Sequence, residues 1–352
     1  MSMTGVMSDL WSSIADPERC PLPLDMATAR AAADRLADLV SPALARHLLA
    51  PIEYRLGNPL VDPGRAAKGL LLHRFTRRAQ VDCARRLHEA GIPIVYIKGF
   101  ASAHTLYATP DARIAGDLDA LVEKSDLLRA VTLLEAAGFR FRHGVKARWG
   151  FTATSSYVPF VSADGSCNLD LHTAPDSDPL DRALTAAQVF AEARPMDVDG
   201  MTLRSPGPEH FLVIAVSNIA KDRFGPFAVK KIIDAGRLIS RVPLEWERAM
   251  SILDRSGLGN AAHAVFALLS DLGFLGVPDG FARPPRGAAG REYARVLAET
   301  RALYPNTESL LGALRRERLL GGGWPVLVRR NARRLAGLIR PMDGTPHGNA
   351  TT

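Results

Sequence analysis

Three aspartates stand where a chain can gather divalent cations. Asp117 and Asp119 flank Leu118, and a third carboxylate lies in the run Leu169-Asp170-Leu171-His172. Residues two apart on a strand point to one face, about 6.5 Å apart, so an Asp-x-Asp pair can bracket metal ions. Within Asn168–His172 the same alternation puts Asn168, Asp170 and His172 on one face and turns Leu169 and Leu171 to the core. Hard cations take oxygen ligands, and cations bound in pairs stabilise the attacking and leaving oxygens of phosphoryl transfer. The spacing therefore predicts one cage built by Asp117, Asp119 and Asp170.

Phosphates also need donors and positive charge. Lys98-Gly99 follows a β-branched run, where a glycine lets the backbone approach a phosphate and the next helix offers unpaired N–H groups. Lys98 and Arg113 add charge for a triphosphate, and Arg113 has a second reading as a partner for Asp117. Downstream, Lys221, Lys230 and Lys231 either close over the triphosphate from an opposite wall or lie on a solvated helix face. His172 orients Asp170, touches substrate, or makes a structural hydrogen bond at the strand end. Asp234 is read as a catalytic group or an internal ion-pair partner.

The elements that position these residues follow from period and punctuation. Helices are predicted over 27–50 and 63–90, the second with Leu70, Leu71, Phe75, Ala79, Cys83 and Leu87 near helical spacing. A buried strand is expected over 92–97, a helix over 100–107, a strand over 118–122, and a helix over 126–137 capped by Ser125. Strands over 139–142, 151–161 and 168–172 follow, the last two joined by the turn Ala163-Asp164-Gly165-Ser166, and Met201-Thr202-Leu203 forms a further short strand. After Pro208 the pattern is helical: 208–220, 226–240, 244–256, 259–272, 291–302, 308–320 and 325–340. Trp246, Leu253, Phe266 and Leu269 fall on the buried faces of these helices. The class is α+β, with an N-terminal helical segment over 1–61, a core over 62–206, a helical domain over 207–340 and a disordered tail over 341–352.

With strand, glycine turn, helix, Asp-x-Asp strand, helix and a later acidic strand in that order, the chain resembles a known family. The stretch from Gly91 to Phe139, "GIPIVYIKGFASAHTLYATPDARIAGDLDALVEKSDLLRAVTLLEAAGF", with "LDLHTA" at Leu169 to Ala174, is similar to the uncharacterised nucleotidyltransferase family of the polymerase-β-like superfamily. The likeness continues through "VKKIIDAGRLI" at Val229 to Ile239 and the helical run from Leu244 to Pro278. It implies a minimal nucleotidyltransferase core, a short mixed sheet flanked by helices, followed by a helical domain. It also implies that Asp117 and Asp119 coordinate two Mg2+ ions, or Mn2+, that Asp170 holds the catalytic one and helps deprotonate the acceptor, and that Gly99 lies against the phosphates. Two departures stand out: Phe100 follows Gly99 where the superfamily has Gly-Ser or Gly-Gly, and Thr173 follows His172 where an aromatic residue is common.

Composition narrows the alternatives. The 352 residues, 47% hydrophobic, suffice for a full core, and no apolar run approaches the ~20 residues of a membrane span, so a cytoplasmic protein is expected. Three scattered cysteines and nine scattered histidines match neither a disulfide framework nor a zinc site. The formal charge of +7 sits at the C-terminal end, where nine arginines from Arg301 to Arg340 face only Glu308 and Glu317. Arg329, Arg330, Arg333 and Arg334 recur at helical spacing and are read as one positive face, for RNA or DNA phosphates, for an anionic membrane, or simply solvated. The expected activity is transfer of a nucleoside monophosphate from a nucleoside triphosphate to an acceptor hydroxyl, on a small molecule, a peptide or protein, or an RNA 3′ end. Its rivals are a non-catalytic binding module on the same fold and an RNA-binding protein using the basic C-terminal helices.

Overall fold

The computed structural model describes residues 3–16, 26–141, 157–304 and 309–339. The expected strand positions 142 and 151–156, the helix start at Glu308, the tail from Pro341, and the side chains of Arg333, Arg334 and Arg340 lie outside the described residues.

Four helices lead into the sheet: α1 (Met3–Ala15), α2 (Met26–Val40), α3 (Pro42–Leu56) and α4 (Pro63–Glu89). The single helix expected over 27–50 is in fact two. Pro42 cannot donate to the preceding turn, and Ser41 instead caps α3 by accepting the Leu44 N–H at 3.2 Å. In α4 the buried side chains include Ala66, His73, Gln80, Val81, Cys83, Ala84 and Leu87, whereas Leu71 and Phe75 face solvent. The apolar stripe expected there is thus buried only in its C-terminal half, where α4 lies against the sheet and Tyr96 Oη donates to the Ala84 carbonyl.

The central sheet has five strands in the order β1-β2-β5-β4-β3. They are β1 (Val95–Tyr96), β2 (Leu118–Leu121), β3 (Arg140–Phe141), β4 (Tyr157–Val161) and β5 (Asn168–His172), with α5 (Lys98–Leu106) after β1 and α6 (Leu127–Ala136) after β2. Only β2 and β5 run parallel; the other neighbours are antiparallel. Of the strand expected over 92–97, only Val95 and Tyr96 pair, because the chain turns into α5 at Lys98. Asp126, not Ser125, occupies the cap position of α6, and it makes no capping hydrogen bond. The turn between β4 and β5 closes as expected, with Asp164 Oδ1 accepting from Ser162 Oγ and from Ser166 N and Oγ.

A second, two-stranded sheet follows α7 (Ala186–Ala191), whose Thr185 and Gln188 form a capping box. Its strands are β6 (Arg194–Val198) and β7 (Met201–Ser205), joined through Asp199 and Gly200 at φ 49° and 81°. Positive φ at both central residues gives the twist a two-residue hairpin needs. Of the pair, sequence reading places only β7.

The rest is helical: α8 (Pro208–Lys221), α9 (Val229–Arg241), α10 (Trp246–Ser256), α11 (Gly259–Asp271), α12 (Gly287–Arg301), α13 (Leu310–Leu320) and α14 (Gly323–Ile339). Trp246, Leu253, Phe266 and Leu269 are buried as expected, Trp246 edge-on to Phe266. One apolar core runs from Leu10 to Leu320, and Trp11 Nε1 donates to the Thr300 carbonyl, joining α1 to α12. The class is α+β, and no helix among the described residues is long and apolar enough to cross a membrane.

Several of the C-terminal arginines among the described residues pair with groups of the protein body. Arg329 Nε donates to the buried Asp178 carboxylate at 3.2 Å, and Arg330 donates to the Asp178 carbonyl at 2.8 Å and to Glu317 at 3.2 Å. Arg315 and Arg316 share the fully buried Glu292. Two of the four residues expected to make an outward positive face therefore fasten α14 to the body.

Candidate active site

The carboxylates meet because of the parallel register between β2 and β5. Asp119 lies opposite Asp170, while Leu118 faces Leu169 and Ala120 faces Leu171 in the buried alternate positions. His172, two residues beyond Asp170, shares its face, and ligand atoms of Asp119, Asp170 and His172 all lie within 4.8 Å of one another. Asp117 is not on the strand as expected. It occupies a bend just before β2, outside that group of three, and borders the same cleft.

Lys98 has an unusual backbone. It is the first residue of α5 and stands at φ 56°, a left-handed conformation that costs a residue with a side chain on the order of 1 kcal/mol. Its ammonium reaches Asp119 Oδ1 at 2.6 Å and lies 3.3 Å from His172 Nε2. Burial works against the Asp119 carboxylate, yet the Lys98 ammonium and the hydrogen bond from His172 outweigh it and hold the group well below the usual carboxylate range. Burial likewise opposes the charge on Lys98, and Asp119, Asp176 and Asp170 together override it and push that lysine up.

His172 moves the other way. Burial, with the Lys98 charge beside it, lowers the imidazole to about 4, so the ring is neutral near pH 7. A neutral ring 2.9 Å from the Asp119 carboxylate carries its proton on Nε2 and donates it. Nδ1 is then a bare acceptor, buried and without a partner among the described residues. Tyr157 stacks at a tilt on the ring, 5.2 Å between centroids, and fixes its plane.

The carboxylates open onto a cleft of about 460 Å³ whose other wall is made by α8 and α9. Lys221, Lys230 and Lys231 line that wall, together with Asn218 and Asp222. Lys221 is held at 2.6 Å by Asp176, which is 1% exposed and also accepts from Ser217 Oγ at 2.7 Å and Asn218 Nδ2 at 3.3 Å. Burial would raise Asp176, but Lys221 and Lys98 keep it well below the ordinary range. Sequence reading missed Asp176, because it lies in a loop with no period; its one signal is the polar run Asp176-Ser177-Asp178 just after the carboxylate strand. Lys231 pairs with Asp222. Lys230 makes no hydrogen bond or ion pair with a described residue, and burial beside Arg113 and Lys231 lowers it to about 8.

Arg113 borders the cleft, but its partner is Asp234, not Asp117. Nε and Nη2 donate to the two carboxylate oxygens at 3.0 and 2.7 Å, and Tyr107 Oη donates to the same carboxylate at 2.7 Å. Asp234 is thus an internal ion-pair partner, joining the segment before β2 to α9. Gly99 has a packing reason beside any contact with phosphate: a Cβ there would lie 3.3 Å from Ala115 Cβ and 3.4 Å from Ala115 Cα. The site brings Lys98, Gly99, Arg113, Asp117, Asp119, Asp170 and Lys221 to one cleft.

Two carboxylates and an imidazole within reach of one ion form a donor set that suits a divalent cation. The Lys98 ammonium already places a positive charge on one of those carboxylates. No curated protein matches the chain. The profile of a family described as uncharacterised nucleotidyltransferase matches residues 72–273, more than half of the chain and every residue lining the cleft. The chain belongs to that family.

Proposed function

We propose that the protein is a divalent-cation-dependent nucleotidyltransferase that moves a nucleoside monophosphate from a nucleoside triphosphate to an acceptor hydroxyl. The reading rests on Asp119 and Asp170 standing opposite one another on parallel strands, across a cleft from the lysines of α8 and α9. Carboxylates alone would repel a triphosphate. Lysines alone would bind one without activating it.

Asp119 and Asp170, with Asp117 in the bend before β2, would hold the cation; when bound it offsets phosphate charge and polarises the α-phosphate. Mg2+ and Mn2+ both suit carboxylate oxygens. Lys98, Lys221 and Lys230 attract the triphosphate and keep its β- and γ-phosphates in place as pyrophosphate leaves. Asp170 accepts the proton from the acceptor hydroxyl, whose oxygen forms a bond to the α-phosphorus as the bond to the pyrophosphate oxygen breaks. His172, neutral and donating to Asp119, keeps that carboxylate oriented. The acceptor is a hydroxyl on a small molecule, on a peptide or protein, or at an RNA 3′ end.

Calorimetric titration of each triphosphate, with Mg2+ or Mn2+ and with chelator, tests the reading. Binding that needs the cation and is lost in Asp170→Asn and Asp117→Asn supports it. Binding indifferent to cation and to both substitutions would instead make the fold a non-catalytic module.

A further inference from the structure

The helical wall of the cleft carries an apolar surface as well as lysines. Phe211, Ile214 and Ala215 of α8 line it, and Phe227 borders it from the turn between α8 and α9. Phe227 is 83% exposed, whereas Phe224 in the same turn is fully buried. An exposed aromatic ring is unremarkable when isolated, but this one borders the same cleft as Phe211, Ile214 and Ala215, beside its charged and small polar residues.

The turn that presents the ring is held firmly. Arg223 and Phe224 both adopt left-handed backbone, at φ 56° and 55°. The Phe224 N–H donates to the Ile219 carbonyl at 3.0 Å, and the Arg223 carbonyl accepts from Arg316, itself buried against Glu292 and Glu299. Two consecutive strained residues persist only where the surroundings enforce them, and such strain concentrates at ligand sites. Here its effect is to bury Phe224 and leave Phe227 outside, three and four residues ahead of Lys230 and Lys231.

A ligand matching this wall has a flat π face at one end and anionic oxygens at the other. The geometry points to Phe227 as the surface on which the nucleobase of the donor triphosphate stacks, beside the apolar side chains of Phe211 and Ile214. The inference rests on the nucleotidyltransferase reading and goes beyond it in assigning the base. Stacking on an aromatic ring is tolerant of base identity, so Phe227 strengthens binding of any triphosphate the site accepts without choosing among them.

The test compares nucleoside triphosphates with inorganic tripolyphosphate, which has the charge but no base. Calorimetry on the full chain with Mn2+ should show Phe227→Ala binding the triphosphate about tenfold more weakly. Tripolyphosphate affinity should be unchanged, and Phe227→Tyr should bind as wild type. The melting temperature should stay the same, since the exposed ring packs against little. Triphosphate affinity unaltered in Phe227→Ala, or an equal loss for tripolyphosphate, overturns the stacking role and leaves the nucleotidyltransferase reading standing. A wild-type chain that binds no triphosphate removes both.

Discussion

Lys98 Nζ lies 2.6 Å from Asp119 Oδ1, so a carboxylate suited to a cation is already engaged by an ammonium of the chain. The pair is mostly buried, the Lys98 side chain 18% and the Asp119 side chain 11% exposed, and Lys98 has left-handed backbone. Breaking a buried pair by removing one partner leaves an uncompensated charge, typically about 3 kcal/mol of lost stability. The same ammonium also repels a second cation at Asp119. Lys98→Met should therefore unfold at a lower temperature without metal, yet bind Mn2+ about tenfold more tightly in the absence of nucleotide. Electron paramagnetic resonance of free Mn2+ reads the affinity; a value equal to wild type would separate Lys98 from the cation site.

The Arg113–Asp234 pair ties the segment before β2 to α9, and with it to Lys230 and Lys231. Both partners are about 5% exposed. Arg113→Ala should lower unfolding stability by about 3–5 kcal/mol in urea titrations, and a paired apolar replacement, Arg113→Met with Asp234→Leu, should recover much of it. If Arg113→Ala keeps wild-type stability and loses only nucleotide affinity, the residue is a direct phosphate contact instead.

Lys230 sets a pH dependence whose sign follows from its surroundings. Burial, Arg113 and Lys231 disfavour its charge, Asp234 and Asp117 favour it, and the balance lies near 8. The free protein carries this cation below about 8 and loses it above, so triphosphate affinity should fall as pH rises from 7 to 9. Arginine keeps its charge throughout that range. Lys230→Arg should flatten the profile, and Lys230→Met should give weak binding at every pH; a wild-type affinity constant from 7 to 9 would contradict the assignment.

Much of the site was legible because strand alternation is a local rule. The spacing of Asp119, Asp170 and His172 needs only a period of two, and the register between β2 and β5 turned that pattern into a cluster. Asp117 follows the same pattern in sequence, yet lies in a bend because pairing with β5 begins at Leu118. Contacts that depend on distant chain were not readable: Arg113 finds Asp234 across 121 residues, and Arg329 finds Asp178 across 151. Asp176 was hidden for a different reason, since a loop carboxylate buried by α8 carries no periodic mark. The break at Ser41-Pro42 was readable from proline chemistry alone but was masked by the alanine-rich helical pattern on either side.

The proposed role of Asp119 and Asp170 is to drive nucleotidyl transfer. It is tested by incubating the protein with each α-phosphate-labelled triphosphate, Mg2+ or Mn2+, and a cell extract as the source of acceptor. Wild type should form a labelled product with one or more triphosphates, abolished by chelator and reduced at least about a hundredfold in Asp170→Asn. Label transferred equally by wild type and Asp170→Asn, or no transfer from any triphosphate with either cation, would contradict it.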